Sequence, residues 1–108
     1  MRLEQTSWME VRDKLQNPQG IIMATGSIEQ HGPIGLIGNV KICSETIALD
    51  VATKANIYLA PSIGFTPAEF NMKFQGTISI SAQTFKSLLS EVTSSLLKHG
   101  FKYVLIVN

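Results

Sequence analysis

The sequence predicts an α/β fold with a mainly parallel sheet. Three short apolar runs show no alternation of polar and apolar residues, which is typical of strands covered on both faces of a parallel sheet. These runs are Ile21–Ala24, Ile57–Ala60 and Tyr103–Val107. Segments with helical spacing lie between them, so that strands and helices alternate along the chain. The first two strands and the helix between them form a βαβ unit, for which we expect right-handed connectivity. We expect the sheet to be truncated after the third strand, because the chain ends at Asn108.

Length and composition restrict the class of protein. A chain of 108 residues is at most one domain, and we expect residues 1–108 to form a single, incomplete one. With 44% apolar and only 16% charged residues, we expect the chain to fold and to have part of its surface covered by a partner or by further chain. A net charge of +1 without a Lys/Arg cluster argues against nucleic acid or membrane as a partner. One cysteine, no apolar leader and no run near 20 residues predict a cytoplasmic protein.

The first predicted helix covers Trp8 to Gln16. Ser7 is suited to the N-cap and Glu10 to the reciprocal position of a capping box. Apolar residues then follow at helical spacing: Trp8, Val11 and Leu15. Asn17-Pro18 ends the helix, because proline cannot continue the hydrogen-bond ladder.

The second predicted helix begins after Ser44 as N-cap, with Glu45 in its first turn. Its expected buried stripe consists of Ile47, Ala48, Val51, Ala52 and Ala55. Cys43 precedes this cap, where the helix dipole would stabilise a thiolate. No histidine is paired with it in the sequence, so we expect a small buried packing residue.

The third predicted helix follows Ser81 as N-cap and ends at His99-Gly100, with glycine suited to the left-handed position after the helix. Its apolar stripe consists of Phe85, Leu88, Leu89, Val92 and Leu96. Thr77–Ile80 is expected to form a brief strand before it. Three aromatic residues of the preceding irregular stretch could line a pocket or an oligomer contact, and we expect them to pack over the sheet edge: Phe65, Phe70 and Phe74.

The candidate functional stretch is Gly26–Pro33, directly after the first apolar strand. Glu29 and His31 are two residues apart, so an extended loop can turn both towards one point, as metal binding or acid–base chemistry requires. In the alternative, Glu29 is solvated and His31 bonds to the backbone. The stretch is neither a dinucleotide-binding glycine motif nor a His-Glu-x-x-His zinc motif.

The octet Gly26-Ser27-Ile28-Glu29-Gln30-His31-Gly32-Pro33 resembles the signature of the creatininase (creatinine amidohydrolase) family. The resemblance extends over the first helix, the Phe74–Ser79 segment and the end of the chain, and corresponds to the N-terminal portion of the family. It implies a three-layer α/β/α fold, two divalent metals (zinc or manganese), and hydrolysis of a C–N bond in a small or cyclic amide by metal-activated water. It also implies a homo-oligomer. By this resemblance Glu29 binds one metal and His31 the other.

The sequence departs from the family pattern at several positions. Val40 stands where the family has an aspartate that bridges both metals, and valine offers no lone pair to a cation. Ile34 replaces a family histidine, Gln75 replaces a proline, and the family's further ligands would follow Asn108. We therefore expect weak metal occupancy and an inactive or impaired enzyme, and we assign no catalytic residue.

Two hypotheses of other classes accompany this one. A non-catalytic α/β assembly domain would keep the fold and the oligomer contacts without the metal site, and metal analysis would separate it from an enzyme. A nucleotide- or phosphate-binding module is disfavoured, because no suitable glycine loop opens a helix.

Overall fold

Three parallel strands form the centre of the computed structural model, which describes all 108 residues. The strands are β1 (Ile21–Ala24), β2 (Tyr58–Leu59) and β3 (Val104–Val107), in the spatial order β2-β1-β3. Ile21 is in register with Tyr58 on one side and with Val104 on the other. The predicted parallel sheet is therefore confirmed, although β2 is only two residues long.

Three α-helices and two short 3₁₀ turns surround the sheet. The helices are α1 (Trp8–Lys14), α2 (Asn39–Ala55) and α3 (Ala82–Lys98), and the turns cover Leu3–Gln5 and Glu69–Asn71. No helix in the structure combines the length and the apolar character needed to cross a membrane.

The side chains of β1 separate two apolar clusters. Ile21 and Met23 face a cluster that includes residues of α1 and α3, whereas Ile22 and Ala24 pack against α2. Every residue of β1 is fully buried, as expected for a central strand covered on both sides. The fold is thus the three-layer α/β/α arrangement that the sequence predicts.

The capping box of α1 is confirmed. The Ser7 hydroxyl accepts a hydrogen bond from the Glu10 amide (3.3 Å), and the Glu10 carboxylate accepts one from the Ser7 amide (2.7 Å). These bonds to Ser7 lower the pKa of Glu10. The helix ends at Lys14, because Leu15 already forms its C-cap.

The predicted start of α2 is wrong. The helix begins at Asn39, and Ser44 lies inside it, buried, where its hydroxyl donates to the carbonyl of Lys41 (3.0 Å). Gly38 is the N-cap and contributes no capping side chain, so the sequence carries no conventional start signal at this position.

The earlier start of α2 changes the surroundings of several residues. Cys43 lies on the exposed side of the helix, so the prediction of a buried cysteine is wrong. Ala48 and Ala52 of the predicted stripe are buried, whereas Ile47, Val51 and Ala55 are exposed. Small residues therefore make the contact between α2 and the sheet, and the helix lies close to the strands.

The boundaries of α3 are confirmed. Ser81 accepts a hydrogen bond from the Thr84 amide (3.1 Å), and Gly100 after the helix has a φ of +108°. Leu89, Val92 and Leu96 of the predicted apolar stripe pack against the core cluster on this face of the sheet, and all five residues of the stripe are only half-buried.

Two predictions for the segment before α3 fail. Instead of a strand over Thr77–Ile80, there is one antiparallel bridge between Ile28 and Ile78. The aromatic residues expected to pack over the sheet edge are exposed: Phe65, Phe70 and Phe74.

Candidate metal centre

The Ser27–His31 loop leaves the carboxyl end of β1, the edge at which parallel α/β sheets bind ligands. Backbone hydrogen bonds fix it to both neighbouring segments. The Gly26 amide donates to Ile63 (3.1 Å), and the Glu29 amide donates to Ile37 (2.8 Å). The Ile78 amide donates to the carbonyl of Ile28 (2.9 Å). The loop is therefore held at its base and in its middle.

The Glu29 carboxylate accepts a hydrogen bond on each oxygen. The Ser27 hydroxyl donates to Oε1 and the Asn71 side-chain amide donates to Oε2, both over 2.7 Å. The bond from Ser27, then that from Asn71, and the nearby His31 lower the pKa of Glu29. The carboxylate is thus an oriented anion at neutral pH and not a freely solvated side chain.

The His31 ring is oriented by the backbone of the same loop. Its Nδ1 lies 2.9 Å from the carbonyl oxygen of Glu29. When Nδ1 carries the proton, it donates to this carbonyl and Nε2 keeps its lone pair, the usual arrangement of a metal-binding histidine. The backbone contact of His31 is therefore compatible with metal binding.

Gln30 joins the loop to two distant segments, and sequence reasoning missed both partners. Its side-chain Nε2 donates to Oδ1 of Asn71 (2.9 Å), and its backbone amide donates to the Thr77 hydroxyl (3.2 Å). Its Oε1 accepts from the amide of Gly32 (2.9 Å). Asn71 and Thr77 are buried polar residues in a stretch without periodicity, and no local pattern identifies them.

The residues of the loop supply only part of the ligand set that a metal ion needs. Glu29 and His31 supply one carboxylate and one imidazole, both suitable donors for zinc or manganese. No group of three or more His, Cys, Asp or Glu residues that could hold a metal ion occurs in the structure. Val40 lies in the first turn of α2 and contributes only an apolar side chain. Glu29 and His31 are therefore too few to hold a two-metal centre, and by themselves they define no catalytic step.

The fold and this site together define a layered α/β protein with a Glu-x-His loop at the carboxyl end of its central strand. The family described as creatinine amidohydrolase (creatininase) matches residues 4–108, and the chain belongs to this family. No curated protein matches the sequence.

Solved creatininase structures share this fold. A crystal structure of creatinine amidohydrolase (creatininase) superposes with a TM-score of 0.89 at 17% identity, over 97% of this chain and 43% of the other. A manganese creatininase superposes with a TM-score of 0.89 at 16% identity, and a mutant creatininase of Zn–Zn type superposes with a TM-score of 0.87 at 17% identity. Both matches have the same coverage as the first. The chain thus spans less than half the length of these structures.

Proposed function

We propose that this chain derives from a metal-dependent amidohydrolase that cleaves a C–N bond in a small or cyclic amide, and that Glu29 and His31 are metal ligands. The observation that supports this is the oriented, ionised Glu29 beside a histidine whose Nε2 is available. In this class of enzyme a bound divalent metal supplies an activated water. One solved structure of similar fold is a mutant creatininase complexed with creatine, which supports a small-molecule substrate.

We further propose that residues 1–108, as a single incomplete domain, are inactive or impaired. Stable zinc sites generally need three or four protein ligands, and the chain brings only two together. We infer a cytoplasmic location, because the exposed and unpaired Cys43 suits a reducing compartment.

Val40→Asp tests the ligand assignment. Val40 lies in the first turn of α2, where an acidic residue is favoured by the helix dipole, so we expect the variant to fold. A third donor near the loop should tighten Zn²⁺ binding by about tenfold or more, measured by calorimetry and accompanied by assays of creatinine hydrolysis.

Asn39→Asp is the matched control, since it places the same charge one residue earlier in the same turn. If both variants bind Zn²⁺ equally, the gain is only electrostatic and the proposed centre is wrong. Glu29→Gln in the Val40→Asp background should remove the gain, because an amide is a poorer ligand than a carboxylate.

The second candidate is a non-catalytic α/β assembly domain. The small donor set and the unpaired side of β3 favour it. Metal analysis of the purified protein separates the two, because two metals bound stoichiometrically would exclude an assembly domain without a metal site.

A further inference from the structure

We propose that Asn71 is a positioning residue that holds the Ser27–His31 loop in a single conformation before any ligand binds. The geometry alone supports the effect of Asn71 on the loop. The consequence of this effect for metal binding rests on the proposed function. No feature of the sequence assigns a role to Asn71.

Asn71 is buried at the end of a well-anchored turn. Asn71 is only 7% exposed, whereas the neighbouring Phe70 and Met72 lie at the surface. The backbone amide of Asn71 donates to the carbonyl of Ala68 (3.0 Å), and the backbone amide of Ala68 donates to the Ser79 hydroxyl (2.9 Å). The turn is thus fixed independently of the loop that it contacts.

Both ends of the Asn71 amide contact the loop. Nδ2 donates to Oε2 of Glu29 (2.7 Å), and Oδ1 accepts from Nε2 of Gln30 (2.9 Å). Ser27 holds the other oxygen of Glu29, so the carboxylate cannot rotate without breaking a bond. Two adjacent side chains of the loop are therefore held by one residue more than 40 positions away.

The direction of these hydrogen bonds requires an amide at position 71. The Gly32 amide donates to Oε1 of Gln30, which leaves the Gln30 nitrogen facing Asn71. An ionised Glu29 can only accept, so the side chain at position 71 must accept from one neighbour and donate to the other. Charge-assisted bonds of this kind are stronger than neutral ones. Aspartate, leucine or alanine at position 71 would each leave at least one of these groups without its partner.

Asn71→Asp is the sharpest test, because it keeps the shape and the acceptor for Gln30 while it places a carboxylate against Glu29. We expect hydrogen exchange of the Gly32 and Gln30 amides in metal-free protein to accelerate about tenfold or more, since the loop opens more often. Glu69→Gln is the control. It replaces a carboxylate by an amide at an exposed position of the same turn and should leave these exchange rates unchanged. Unchanged exchange in Asn71→Asp would overturn the proposal.

A second variant separates positioning from a general loss of stability. Adding Glu29→Gln to Asn71→Asp reverses the polarity of the pair, because glutamine can donate to the new carboxylate. We expect loop protection to return to within about threefold of the wild type, as complementary pairs recover most of their coupling. If protection does not return, the effect of Asn71→Asp is not specific to this pair and the proposal fails.

Zn²⁺ titration distinguishes this proposal from the proposed function. If Glu29 is a ligand, Asn71→Leu, which removes the donor to Glu29 without adding a carboxylate that could itself bind the metal, should weaken Zn²⁺ binding by about tenfold, the usual cost of losing a partner that orients a ligand. Glu29→Gln alone should weaken Zn²⁺ binding at least as much, because the ligand carboxylate is gone. Faster exchange in Asn71→Leu with unchanged Zn²⁺ affinity would support the positioning role and contradict the assignment of Glu29 as a ligand.

Discussion

Gly26 lies where the first turn of α2 crosses the carboxyl end of β1. A Cβ atom at this position would lie 2.6 Å from the Cα and N atoms of Lys41, which are backbone atoms of the helix. Gly26→Ala should therefore push α2 away from the sheet and lower the free energy of unfolding by about 1–3 kcal/mol. Urea denaturation measures this loss.

Gly64→Ala is the matched control for this close approach. Its added Cβ would meet only side chains, the nearest being Lys41 at 3.6 Å, which is ordinary contact. We expect its stability to change by less than about 1 kcal/mol. Equal losses in both variants would show that the approach of the helix to Gly26 is not what makes glycine necessary there.

At the same scale, the sequence identifies only part of the candidate site. Glu29 and His31 can be found because they follow an apolar strand within one local motif. Asn71 and Thr77 cannot, because they reach the loop through contacts that span more than 40 residues. Such contacts depend on how the chain returns to the sheet edge, which short-range patterns do not encode.

The sequence predicts some elements better than others for physical reasons. β1 and the boundaries of α3 follow from an unbroken apolar run and from conventional caps. The sequence misleads about the start of α2, because Gly38 provides no capping side chain, whereas Ser44 resembles a cap and instead bonds back to Lys41. The helix begins early because its first turn packs on Gly26, a tertiary contact.

Glu45 connects α2 to the start of the chain, and its ion pairs make stability depend on pH. It contacts Lys41 at 2.6 Å and Arg2 at 2.7 Å, and these bonds lower its pKa from 4.5 to about 2. A lowered pKa gives stability that is complete above pH 4.5 and is lost as the pH falls towards 2.

Glu45→Gln should therefore cost about 1–3 kcal/mol at pH 7, and the difference from the wild type should disappear near pH 2. Urea denaturation at both pH values measures it. Asp50→Asn is the control, because the exposed pair of Asp50 with Lys54 should contribute about 0.5 kcal/mol or less. A constant loss for Glu45→Gln at every pH would show that the ion pairs are not its cause.

The whole molecule is more extended than a typical globular domain of this size. Its radius of gyration is 15.3 Å, whereas about 13 Å is typical of 108 residues. Its accessible surface of 6844 Å² exceeds by about 900 Å² the value expected for its mass. This excess is close to the roughly 800 Å² that each partner buries in a standard protein interface.

The outer edge of β3 is the part of this surface at which we expect association. The strand pairs only with β1, so its other row of backbone groups is unpaired. Leu105 and Ile106, which point to opposite faces of the sheet, are 46% and 42% exposed. Strands of parallel sheets are normally buried on both faces, so an exposed edge of this kind favours association.

We therefore expect the purified chain to form a homo-oligomer through β3, as measured by sedimentation velocity over a range of concentrations. Leu105→Lys should shift the population towards monomer, because a charged side chain on an edge strand opposes pairing with another strand. Leu97→Lys is the matched control, since Leu97 lies on α3 with a similar exposure of 44% and should leave the association unchanged. A wild-type chain that stays monomeric at every concentration would contradict the prediction, and equal dissociation in both variants would place the contact away from the strand edge.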